Sequence, residues 1–138
     1  MSFTQLDLAY FAALLDGEGW ITFERANKTF SLRVGVANTC KLVLQQLMNE
    51  FGGGVRKQHK VNYQVWTWSV SQHKAKRFLE AVLPYMRIKQ GEAKIALEFL
   101  NTLPTNTSKI RVTDEELQRR LLFKERLISS RYSYTKES

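Results

Sequence analysis

The chain has 138 residues, long enough for one domain with a proper core, and its 43% apolar content is ordinary for a globular protein. Lys and Arg number 21 against 13 Asp and Glu, a net charge of +8, which favours a polyanionic partner, nucleic acid before membrane. The one cysteine, Cys40, excludes an internal disulfide and a thiolate zinc site, no apolar run is long enough to span a bilayer, and the N-terminus lacks the basic-then-apolar order of a signal peptide, so an intracellular, reducing compartment is expected.

Thr4-Gln5-Leu6-Asp7 opens the first helix, with Thr4 or its neighbour as the cap, and Gly17 to Gly19 close it. Its last turn carries Asp16 and Glu18, where the helix dipole is negative and acids are repelled. Acids there call for a cation, either a metal or a basic partner. Ala9, Ala13 and Gly17 fall four apart and stack on one helix face. A row of small residues lets another backbone approach closely.

Trp20 to Arg25 alternates as a strand, with Trp20, Thr22 and Glu24 on one face and Ile21, Phe23 and Arg25 on the other. Ala26-Asn27-Lys28 reads as a turn into a second strand, in which Phe30, Leu32, Val34 and Val36 alternate with Ser31, Arg33 and Gly35. Asn38 or Thr39 can cap a second helix whose apolar positions are Leu42, Val43, Leu47, Met48 and Phe51, stopped by Gly52. Gly52-Gly53-Gly54 has no GK[ST] after it and reads as a helix stop rather than a phosphate cradle.

Val55 to Gln58 and Tyr63 to Ser71 form a second hairpin around Lys60-Val61-Asn62. Ser71 caps a third helix carrying Phe78, Leu79, Val82 and Leu83, and Pro84 stops it. A fourth helix runs from about Ile88 to Leu100. Residues 104–112 read as a linker. Thr113-Asp114-Glu115-Glu116 starts a last helix with Leu117, Leu121 and Ile128 as its apolar stripe, and the tail from Ser129 is polar and expected to fray. The order is α-β-β-α-β-β-α-α plus this last helix: an α+β fold, an antiparallel sheet with helices on one face. Residues 1–103 form the core unit; 104–138 supply a linker and a C-terminal helix of the same domain. His59 and His73 lack ligand-spaced partners.

Phe11-Ala12-Ala13-Leu14-Leu15-Asp16-Gly17-Glu18-Gly19 resembles the motif of the LAGLIDADG homing endonucleases. Val36-Ala37-Asn38-Thr39, Phe51-Gly52-Gly53-Gly54, Trp68-Ser69-Val70 and Leu83-Pro84-Tyr85-Met86-Arg87-Ile88-Lys89-Gln90 resemble later parts of that family's repeat, in order. The likeness covers roughly residues 5–103. The chain departs from the family name with Ala13 for Gly, Gly17 for Ala and Glu18 for the final Asp.

The resemblance implies a saddle-shaped sheet and metal-dependent hydrolysis of double-stranded DNA. Staggered cuts would fall at a long, near-palindromic site, as in intron homing. Glu18 would hold the metal, Mg²⁺ or a substitute such as Mn²⁺, with the Gly17 carbonyl beside it. Lys89 would stabilise charge on the phosphate, Asn38 would position water and Lys41 would add positive charge. Asp16 is expected to support helix ends rather than bind metal. The polar face of the hairpins would enter the major groove through Thr22, Glu24, Ser31, Arg33, Arg56, Gln58, Tyr63, Val65 and Thr67, with Lys57, Lys28 and Lys60 on phosphates. One motif per chain implies a homodimer closed by Ala9, Ala12, Ala13, Asp16 and Gly17. No membrane partner is expected. The rival readings are an RNA maturase or a non-cleaving DNA-binding regulator on this fold, and, on charge alone, an RNA-binding structural protein.

Overall fold

Residues 2–26, 29–59, 63–104 and 112–133 are described in the structure, a computed structural model of the chain. Helix α1 (Gln5–Glu18) starts at a reciprocal cap. Thr4 Oγ1 accepts from the Asp7 N–H at 3.2 Å, and the Asp7 carboxylate accepts from the Thr4 N–H at 2.8 Å. Gly19 then turns the chain straight into β1 (Gly19–Ala26), which pairs antiparallel with β2 (Thr29–Asn38) from Gly19↔Val36 to Ala26↔Thr29. Next come α2 (Lys41–Phe51), β3 (Gly54–His59), β4 (Gln64–Ser71), α3 (Gln72–Val82), a 3-10 turn (Leu83–Tyr85), α4 (Gln90–Leu100) and α5 (Asp114–Ser133). The hairpins join through β2 and β4, so the sheet order is β1-β2-β4-β3. The fold is α+β, as the order of elements predicts.

Strand alternation decides where the core lies. Ile21, Phe23, Leu32, Val34, Val36, Trp68 and Val70 are buried on the helix side of the sheet. Phe51, Phe78 and Trp68 form a chain of edge-to-face rings with centroids 5.0 Å apart, and Phe23 meets Phe99 at 4.9 Å. The Trp68 indole N–H, buried with its ring, donates to the Gly52 carbonyl at 2.8 Å. Gly52 and Gly53 have φ of 79° and 83°, and a β-carbon on Gly53 would overlap the Ser69 carbonyl. The glycine run is thus a helix stop that lets β3 pass close to β4. Gln72 has φ 53° at the start of α3, and its side-chain oxygen accepts from the Leu32 N–H at 3.2 Å. That bond continues the β4 edge of the ladder for one more residue.

Several local expectations shift. Cys40, not Asn38 or Thr39, is the residue before α2; Asn38 reaches it from outside, its Oδ1 accepting from the Cys40 N–H at 2.8 Å. Leu42 is 65% exposed and Leu44 takes its place in the core. Ser71 stands before α3 but its hydroxyl makes no cap bond. Helix α4 starts at Gln90 rather than Ile88, since residues 87–89 turn their N–H groups to Asp16. In α5, Leu127 and Arg120 face the core while Ile128 is 40% exposed, and the helix runs through Ser133 rather than fraying at Ser129. The expected turns at 26–28 and 60–62, the linker and the end of the tail lie wholly or mostly outside the described residues. Among the described residues no helix is long and apolar enough to cross a membrane.

Candidate active site and nucleic-acid interface

The C-terminal end of α1 and the approach to α4 meet head to tail. The Asp16 carboxylate accepts three backbone hydrogen bonds, from Arg87 at 2.8 Å, Ile88 at 3.2 Å and Lys89 at 2.9 Å. In return Lys89 Nζ donates to the Asp16 carbonyl at 2.6 Å. An acid that opposes the dipole of its own helix is thus seated at the positive end of another. Asp16 is 8% exposed, and its carboxylate is met by the N-terminal end of α4, with the Lys89 ammonium on its backbone carbonyl.

Glu18 stands next to this clasp and is exposed. Its Oε2 accepts from Asn38 Nδ2 at 2.9 Å. Asn38 sits at the end of β2, and the Cys40 N–H fixes its oxygen, so its NH₂ must point at Glu18. Glu18 Oε1 carries no hydrogen bond among the described residues. The last helical bond is made by the Gly19 N–H to the Leu15 carbonyl, so the Gly17 carbonyl lies beyond it. Lys41, in the first turn of α2, holds its Nζ 4.3 Å from the Trp66 ring centroid. The structure therefore joins Glu18 to Asn38 and Lys89 to Asp16, and places Lys41 on an aromatic face.

Among the described residues no three His, Cys, Asp or Glu side chains could hold a metal together. What one chain offers is a carboxylate oxygen and a helix-end carbonyl, both hard donors. That set fits a small divalent cation that keeps most of its shell as water or phosphate oxygen.

The uncovered face of the sheet is ordered by register. Thr22, Arg33 and Ser71 lie in one row, Ala37, Thr67 and Arg56 in another, Glu24 faces Ser31, and Gln58 faces Val65. Arg33 Nε lies 2.8 Å from the Glu24 carboxylate, and its Nη1 donates to Ser69 Oγ at 3.0 Å, so this arginine is already held across three strands. The Thr67 hydroxyl is buried with no partner among the described residues. Tyr63, just before β4, is 59% exposed. Lys57 does not share this face. It pairs with Trp66 on the helix side, and its Nζ lies 5.9 Å from that ring. Lys28 and Lys60 lie outside the described residues. Trp20 lies flat on the outward face, where a β-carbon on Gly35 would overlap its indole.

The two sides of α1 are both apolar. Phe11, Ala12 and Leu15 are buried, whereas Leu6 is 84% and Tyr10 47% exposed, and Ala13 and Gly17 are open. Ala12, at 0% exposure, belongs to the chain's own core and not to the outer seam, and Asp16 has its carboxylate turned inward. Glu92 and Arg131, which pair at 3.0 Å beside Lys89, were not singled out from sequence. A glutamate one position from Ala93 on the stripe of Ala96 and Phe99 was the available signal.

Fold and site together define an α+β protein with a four-stranded sheet, one face of it uncovered and mostly polar. A scan against protein-family models and a search of curated proteins found no match. Solved structures do match. The homing endonuclease I-CvuI, in complex with the I-CreI target in 2 mM Mg with its DNA uncleaved, superposes at TM-score 0.72 with 22% identity over 91% of this chain and 82% of that one. The archaeal intron-encoded homing endonuclease I-Vdi141I, complexed with DNA, matches at 0.63 with 17% identity over 96% and 84%. The LAGLIDADG homing endonuclease I-SmaMI, bound to cleaved DNA, matches at 0.56 with 18% identity over 85% of this chain and 42% of its own. The chain has the fold of the LAGLIDADG homing endonucleases.

Proposed function

We propose that the chain is a sequence-specific DNA endonuclease that hydrolyses phosphodiester bonds with a divalent cation and makes staggered double-strand cuts as a homodimer. The observation that carries this reading is the Glu18 carboxylate, aimed by Asn38 and left half free at the rim of an uncovered polar sheet face, beside Ala37 and Val65. Mg²⁺ or Mn²⁺ held by Glu18 and the Gly17 carbonyl would supply the charge and the water activation that phosphodiester hydrolysis needs. Asn38 keeps the carboxylate in one orientation. Lys89, held on the Asp16 carbonyl, brings a fixed ammonium to the same helix end, where it offsets charge growing on the phosphate. Lys41 adds positive potential at the rim. Arg33, Arg56, Gln58, Thr22, Glu24, Ser31, Tyr63, Val65 and Thr67 present alternate side chains of a β-ribbon to base edges.

Two strands need two sites. The exposed apolar side of α1, from Leu6 and Tyr10 to Ala13 and Gly17, fits a second copy of itself. A cleft of about 520 Å³ lined by Ala9, Ala13, Pro84 and Met86 beside it can take a partner side chain. One copy covers 42% of I-SmaMI, so two copies account for a protein of that length. Helix α5 belongs to the same unit as the sheet and the other helices in this reading, because Arg120 donates to the Phe30 carbonyl at 2.8 Å and Arg126 pairs with Glu98 at 2.7 Å.

The test is selection of bound sequences from a randomised duplex library, followed by incubation of the winner with Mg²⁺. Wild-type protein should cut both strands. Glu18→Gln should bind as well or better and cut neither. Binding without cutting by the wild type would favour a regulator or an RNA maturase, and cutting by Glu18→Gln at a comparable rate would remove Glu18 from the site.

A further inference from the structure

Gly19, Trp20, Ile21 and Thr22 of β1, Lys89 and Glu92 on the α4 side and Arg131 near the end of α5 line one cleft of about 430 Å³. Glu92 is 2% exposed, and a carboxylate so far from water has to be paired. Its Oε1 accepts from Arg131 Nε at 3.0 Å, and Arg131 Nη2 donates to the Ile21 carbonyl on the edge strand at 2.8 Å. A guanidinium has five N–H donors in a planar fork. Two are used here, Nη1 has no partner among the described residues, and the side chain is 42% exposed. The arginine is therefore pinned at two points with its other edge open. Burying a carboxylate in such a pair is a poor way to add stability, since apolar residues of similar volume do as well. It is a good way to hold a cationic fork in one orientation.

The charges lining the cleft are Lys89, Arg131 and Glu92, a balance of one positive. The cleft opens beside Trp20 and Thr22, on the edge of the face that would carry DNA. We propose that Arg131 is a phosphate contact of the same site as Lys89, with Glu92 as the residue that aims it, and that the ligand is a phosphodiester group of the bound DNA strand. This rests on the reading of the chain as a DNA endonuclease. The planar fork matches two phosphate oxygens at once. An arginine on the C-terminal helix thereby joins that helix to the DNA-binding edge of the sheet.

The decisive variant is Glu92→Gln/Arg131→Gln. It removes both charges together, keeps an amide pair for the buried contact and leaves net charge unchanged. Its melting temperature should stay close to wild type. Its affinity for a duplex selected by the wild type should fall, and the log–log dependence of that affinity on salt should flatten by about one unit per protomer. Arg126→Ala, one charge lost from the same helix, should leave the slope unchanged. If the double variant fails to fold, Glu92→Leu/Arg131→Met takes its place with the same readout. A folded double variant with wild-type affinity and slope overturns this inference and leaves the endonuclease reading standing. Wild-type protein that binds no duplex DNA overturns both.

Discussion

Truncation of Asp16 to alanine tests the clasp on which the site is built. The side chain accepts three backbone hydrogen bonds at 2.8, 2.9 and 3.2 Å in a position 8% exposed. Hydrogen bonds to a charged group contribute about 1.5–3 kcal/mol each, and the acid also meets a helix N-terminus, worth up to roughly 2 kcal/mol. These terms are not additive, and water can enter from the cleft that Asp16 lines, so part of the loss is recovered. A net loss of about 3–5 kcal/mol is expected, a third or more of the stability of an ordinary domain. For a chain of this size that is a fall in Tm of about 10–20 °C. Asp16→Asn should fall between the two, since it keeps one oxygen but turns an NH₂ against backbone N–H groups. Urea denaturation with an unchanged m-value gives the difference directly. Asp16→Ala within about 1 kcal/mol of wild type would refute the clasp. Asp16→Ala with full stability but weakened divalent-cation binding would make Asp16 a metal ligand instead.

Other outcomes follow from single contacts. Ala13→Leu adds bulk to an open position of α1, so the monomer should fold normally while sedimentation shows the proposed dimer, present in the wild type, lost at a cost of ~1–3 kcal/mol per site; a variant that dimerises like the wild type would remove this face from the interface. Gly35→Ala should displace the Trp20 ring, change tryptophan emission and lower stability by about 1–3 kcal/mol, and unaltered emission would mean the ring is not seated there. Two hydrogen bonds from Arg119, with a third from Arg120, hold the Glu116 carboxyl below its ordinary pKa of 4.5 against the opposing effect of burial. A depressed folded pKa contributes stability that is complete above the unfolded value and is lost as pH falls through the folded one. The stability gap between wild type and Glu116→Gln should therefore be constant above about pH 5 and close below pH 4.5, and a gap that persisted in acid would show that packing, not charge, carries it.

Local periodicity determined the elements. The Thr4 cap, the alternation of Ile21 and Phe23 with Trp20 and Thr22, the glycine stop after Phe51 and the proline stop after Val82 each depend on residues a few positions apart, and the structure keeps all of them. The two-faced apolar character of α1 was also legible, because helical spacing alone places Ala13 and Gly17 apart from Phe11 and Leu15. Helical phase was not. Leu42, Val43, Leu44, Leu47, Met48 and Phe51 allow more than one stripe, and only the angle at which α2 meets the sheet selects Leu44 over Leu42. The same holds for Leu127 over Ile128 in α5. The site was legible as residue types and opaque as partners. Asp16 finds its hydrogen bonds 71 to 73 residues away, and Glu92 finds Arg131 39 residues away. Such pairs carry no local signal, because what joins them is the head-to-tail meeting of helices packed on one sheet. Charge complementarity fixes which acid is buried there, but only the tertiary packing decides which helix end it meets.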